Sequence, residues 1–214
     1  MKPLIAIVLC LSLAACDKAP EEGSALTTSA DGSLYTNARF GLSVSKPEGW
    51  YAMDIKESMA QMQKGGAMMA GSDENMQAMM DASMKSTLPL FNFFEAPPGA
   101  AVKTNANIGA AAENVEALPG IKTGCDYLYQ MKQLMAQSPL KIDFSQECQS
   151  IRINGNPFGM HSATMSVGNN EVKQRYYACI KDRHALVLVH SYTEDKGDET
   201  LNQVMETLKL GCDA

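Results

Sequence analysis

Four apolar runs separated by three turn segments fill residues 142–193, and no other stretch restricts the fold as strongly. Ile142 to Ile153 ends at Asn154-Gly155-Asn156-Pro157, Phe158 to Val167 at Gly168-Asn169-Asn170, and Val172 to Ile180 at Lys181-Asp182-Arg183. The fourth run, Ala185 to Thr193, contains the β-branched segment Leu186-Val187-Leu188-Val189. Connections this short join neighbouring strands as hairpins, so an antiparallel sheet is expected.

The flanking segments supply helices and further strands. Thr123 is placed to cap a helix that runs to about Ser138, with Tyr127, Leu128, Met131, Leu134 and Met135 as its apolar stripe. Asp198 is placed to cap a last helix with the stripe Leu201, Val204, Met205 and Leu208, ended by Gly211. Upstream, Phe40 to Ser45 alternates apolar and small residues until Pro47-Glu48-Gly49, with Trp50 next, expected to plug the core. Leu88 to Phe94 reads as a central strand and Ala106 to Val115 as a weaker one. The order gives an α+β fold, an antiparallel β-sheet with helices packed on it.

The stretch FGLSVSKPEGW at 40–50 resembles the opening of the PsbP-like superfamily, which includes bacterial DcrB-type lipoproteins. An aromatic residue, an alternating strand and P-x-G-W begin the sheet there. A strand meander and a C-terminal helix finish it, as residues 142–210 do in arrangement. The resemblance implies an α/β/α sandwich and a noncatalytic binding or assembly role, the latter by analogy of fold.

Residues 1–34 are expected to lie outside this domain, which is placed at 35–214. After Met1-Lys2-Pro3, Leu4 to Ala15 is apolar apart from Ser12. That run is too short for a bilayer, which takes about 20 residues, and suits the core of an export leader. Leu13-Ala14-Ala15-Cys16 resembles the lipobox of bacterial lipoproteins. The resemblance implies that residues 1–15 are removed and that Cys16 becomes an acylated first residue. Asp17 resembles an inner-membrane retention signal, so the periplasmic side of the inner membrane is expected, with the outer membrane as alternative. Residues 17–34 are polar and small, read as a flexible tether after the lipidated Cys16 with a reach of about 23 Å.

Four cysteines remain after Cys10 and Cys16: Cys125, Cys148, Cys179 and Cys212. Their spacing excludes a CxxC redox motif and a compact zinc knuckle. In an oxidising compartment an even set reads as two disulfides, with three connectivities open. The pairing Cys125–Cys148 with Cys179–Cys212 is favoured, because each would join a helix end to a neighbouring strand.

Nine methionines fall in a helical segment at 53–84. Met59-x-x-Met62 and Met76-x-x-Met79-Met80 put sulfurs on one helical face, a spacing that suits Cu(I) or Ag(I). The same spacing suits two buried stripes, Ile55, Met59 and Met62, then Met76, Met79, Met80 and Met84, or an adaptable docking surface. Gly65-Gly66 and Gly71-Ser72-Asp73 are expected to break the segment into two short helices with a mobile joint.

The net charge of −6, without clustered Lys and Arg, excludes nucleic acid as a partner. His161 and His190 lie in strand patterns and His184 in a turn, all read as structural. No nucleophile elbow, P-loop, H-E-x-x-H or dinucleotide glycine pattern occurs, so the chain is not read as an enzyme. The expected function is a lipid-anchored periplasmic binding or assembly-factor domain without catalytic activity and without a cofactor. It would be held to the membrane by its N-terminal lipid and have an envelope protein partner. A Cu(I)/Ag(I)-binding envelope lipoprotein is the alternative.

Overall fold

A computed structural model describes residues 26–145, 147–167 and 170–213. The expected leader, Cys16 and Asp17 lie outside these residues. The described chain runs β1 (Thr27–Thr28), β2 (Leu34–Asn37), β3 (Leu42–Ser45), β4 (Tyr51–Ala52), α1 (Ile55–Ala70), α2 (Glu74–Ser86), β5 (Thr87–Phe94) and β6 (Asn107–Asn114). It continues with α3 (Gly124–Met135), β7 (Ile142–Phe144), β8 (Gln149–Ile153), β9 (Asn156–Val167), β10 (Asn170–Lys181), β11 (His184–Tyr192) and α4 (Asp195–Thr207).

The large sheet has the order β4-β5-β6-β11-β10-β9-β7, with β8 also on β9, and every pairing is antiparallel. Its middle strand β11 is apolar on both sides. Leu186 and Leu188 enter one core with α4 and the small sheet β1-β2-β3, whereas Val187 and Val189 pack towards α3. Helices therefore cover both faces, which is why this strand reads as a continuous apolar run. Trp50 packs only partly buried against the first core. The run Ile142–Ile153, read as one strand, is two: β7 and β8 pair with successive parts of β9, and Cys148 lies between them.

Strand pairing is present within the segment 26–34 read as tether. Thr27 and Thr28 pair with Thr36 and Tyr35 through a turn at 29–33. Those small polar residues build the turn. The Asp31 carboxylate accepts from the Ser29 and Ser33 hydroxyls, which with the Ser33 amide hold its pKa down at about 2.

α1 opens on an Asp54–Glu57 capping box and continues unbroken through Gly65-Gly66. The only break is at Gly71, after which Asp73 caps α2. Gly66 does not end the helix because it is buried against Met80 of α2. The last helix also departs from expectation. It starts at Asp195 with Glu194 as its N-cap, four residues early, and the Asp198 carboxylate pairs with Arg175 at 2.8 Å instead of capping. It stops at Thr207, before Gly211, where the Asn154 amide donates to the carbonyls of Met205 and Leu208.

α3 has the expected Thr123 cap and ends at Met135. Its first turn lies directly on the sheet backbone: a β-carbon on Gly124 would stand 1.8 Å from the Ala178 carbonyl oxygen. Neither backbone can yield, so Gly124→Ala is expected to cost about 3 kcal/mol or more. A denaturant midpoint within experimental error of the parent would contradict this contact.

The disulfides are Cys125–Cys148 and Cys179–Cys212. The first ties the start of α3 to the approach to β8. The second ties β10 to the segment after α4 (Cys179–Cys212), whose Lys209 bridges Ser43 of β3. Two such crosslinks point to an oxidising compartment outside the cytoplasm. No helix among the described residues is long and apolar enough to cross a membrane.

Candidate binding cleft

The site begins with how α1 is seated. Its Ser58 is buried and accepts a 2.9 Å hydrogen bond from the Asn92 amide of β5. Asn92 lies over β6 at a residue with no side chain, since a β-carbon on Gly109 would meet the Asn92 oxygen at 2.2 Å. This seating turns Ser58, Gly66 and Ala70 inwards and leaves Ile55 and Met59 outside.

Beyond Gly109 the sheet face stays open. Gln61 and Met62 of α1 form a wall, and Gly109, Ala111, Val187 and Val189 line the floor of a cleft of about 420 Å³. Asn107, Val172 and Ser191 are shared with a wider polar cleft of about 750 Å³ at the strand ends, reached by Thr104, Asn170 and Thr193. Both volumes fall in the range of ligand sites, roughly 300–1,000 Å³. Inside, Gln174 is fixed from both ends: its amide donates to the Ser191 hydroxyl at 3.1 Å and its oxygen accepts from Tyr176 at 2.5 Å. The Thr193 hydroxyl is buried with no partner among the described residues. At the mouth, Lys103 faces Glu194 at 3.8 Å, both exposed.

The arrangement offers an apolar floor, a methionine wall and neutral hydrogen-bonding groups at one end, which is chemistry for holding a molecule. Residue reading placed a weak strand here and missed the cleft. The signal was in the same residues: Gly109-Ala110-Ala111-Ala112 makes a poor strand and a bare floor.

The five methionines considered as sulfur ligands are distributed among three environments. Met62 lines the cleft, Met59 and Met79 are exposed, and Met76 and Met80 are buried with Ala70 beside Met69 and Leu134. The packing stripe therefore holds for Met76 and Met80 and fails for Ile55, Met59 and Met79. Among the described residues no group of three or more His, Cys, Asp or Glu is placed to hold a metal.

Histidines lie away from the cleft. His184 opens β11, buried, rather than sitting in a turn, and its Nδ1 donates to the Asp182 carbonyl at 2.8 Å. His161 stands edge-on to Phe144, its pKa lowered mainly by burial. His190 is enclosed beside Tyr177, in register with Arg175. Burial, then the Arg175 charge, lowers its pKa to about 3.

No family model matches the chain, and no curated protein does. Solved structures do. Cyanobacterial PsbP (CyanoP) from Synechocystis aligns with a TM-score of 0.51 at 14% identity, over 84% of this chain and 93% of that one. LpqN, involved in cell envelope biogenesis of Mycobacterium tuberculosis, aligns with a TM-score of 0.44 at 9% identity, over 87% and 89%. A protein of unassigned function from Pseudomonas aeruginosa aligns with a TM-score of 0.44 at 13% identity, over 55% and 80%. The CyanoP alignment shows the fold: helices on an antiparallel sheet in the PsbP-like arrangement.

Proposed function

We propose that the chain is a noncatalytic envelope domain, lipid-anchored at Cys16 after removal of residues 1–15, that binds an extended segment of an envelope protein partner in the cleft beneath α1. The cleft is the observation that carries this reading. Its Met62 wall adapts to varied side chains, its floor is apolar, and its polar end offers partners for a peptide backbone. The PsbP-like fold, the two disulfides and the lipobox resemblance support placement on the periplasmic side of a membrane, the inner one by Asp17.

Two measurements test it. Intact mass of the chain isolated from bacterial membranes is expected to show Cys16 as an acylated first residue; an unmodified thiol or an uncut leader refutes the anchor. Ala111 is partly exposed on the cleft floor, so Ala111→Leu fills space in the cleft. Thermal stability is expected to stay within about 0.5 kcal/mol of the parent, while partner retention after crosslinking falls at least about tenfold, as for a lost anchor pocket. Undiminished retention refutes the cleft.

A further inference from the structure

The inner cleft of about 420 Å³ carries no charge: among the described residues no Asp, Glu, Lys, Arg or His lines it. Lys103, Glu171 and Glu194 stand in the outer, polar cleft instead. Two carboxamides of the inner cleft are fixed by their nitrogens. Asn92 donates to the Ser58 hydroxyl at 2.9 Å, and Asn107 donates to the Asn105 carbonyl at 3.0 Å. Among the described residues neither side-chain oxygen accepts a hydrogen bond.

The two oxygens are regularly placed. Asn92 of β5 pairs with Gly109 of β6, and its oxygen reaches across over that bare residue. Asn107 stands two residues along the same strand. The acceptors thus belong to levels of β6 about 6.6 Å apart. An extended chain repeats the amides of one edge at that same interval. Across the floor, Ser191 of β11 is in register with Asn107. Its hydroxyl accepts from Gln174, which leaves its proton to donate to a carbonyl on the other edge of such a chain.

We propose that the cleft reads its occupant through the backbone: an extended, uncharged segment of the partner lies along β6 and donates two amides, two residues apart, to Asn92 and Asn107. The inference rests on the peptide-binding reading above and names the kind of segment taken. A charged side chain over this floor would lose its water without gaining a counter-charge. A proline at either contact brings no N–H. Acceptors already fixed on paired strands need little further ordering when the segment arrives.

The test selects phage-displayed random twelve-residue peptides on the full chain, isolated from bacterial cells in detergent. The selected peptides are expected to share an uncharged run without proline, and to lose binding to Ala111→Leu. A synthetic copy is then N-methylated one amide at a time. Methylation at two positions, two residues apart, should weaken binding about tenfold each. Asn92 also seats α1, so Asn107 carries the mutational arm. Asn107→Ala should weaken the unmethylated peptide about tenfold and abolish the effect of methylation at one of the two positions only. A merely structural role for Asn107 would preserve both methylation effects. That result, or a charged residue within the shared run, overturns the inference and leaves the cleft reading standing so long as Ala111→Leu abolishes binding. Peptide binding that survives Ala111→Leu, or the selection of no peptide, overturns the cleft reading and the inference with it.

Discussion

Reduction of both disulfides is expected to remove about 7 kcal/mol of folding free energy. The sequence separations of 23 and 33 correspond to about 3–4 kcal/mol each by loop-closure entropy. Domains of this kind are stable by roughly 5–15 kcal/mol, so the reduced chain stands at the edge of folding. Cys179–Cys212 matters beyond entropy. It holds the segment carrying Leu208 and Leu210, both buried in the main core, against β3 through the Ser43–Lys209 bridge. Calorimetry with and without reductant should show the melting temperature falling by about 15–25 °C. Replacing Cys179 and Cys212 together by alanine should account for at least half of the fall. An unchanged transition under full reduction would show that the crosslinks constrain nothing.

Acid is expected to weaken the fold through His190. The imidazole is fully buried, and neither ring nitrogen has a hydrogen-bond partner among the described residues. Its folded pKa of about 3 lies below the ordinary 6.5. Between those values the unfolded chain takes up a proton that the folded chain does not. The stabilisation is thus complete above about pH 6.5 and is lost as pH falls towards 3, by about 4–5 kcal/mol in all. His161 shifts in the same direction. Denaturant midpoints measured down this range should fall steeply for the parent and more gently for His190→Leu. Parallel slopes for the two would contradict a neutral, enclosed imidazole.

Much of the scaffold was legible because it follows from local chemistry. Turn residues at 154–157 and 181–183 set the hairpins, Thr123 set the start of α3, and an even cysteine set gave the crosslinks. Errors came where a distant residue overrode the local rule. Arg175 drew Asp198 away from capping, and Asn92 drew the polar Ser58 inwards, which rotated α1 and exposed Ile55 and Met59. The cleft was illegible for a related reason. It is a space left over β6 and β11 once α1 is seated, and no residue in the chain marks a space.

The claim on which the account turns is that the cleft beneath α1 is where a partner binds. Photo-crosslinking in intact bacteria, with the reactive side chain at position 62 in the cleft wall or at position 68 on the exposed helix surface, tests it directly. One discrete adduct is predicted from position 62, none of equal yield from 68, and loss of the adduct with Ala111→Leu. Equal labelling from both positions, or an adduct from 62 that persists after the floor is filled, would contradict it.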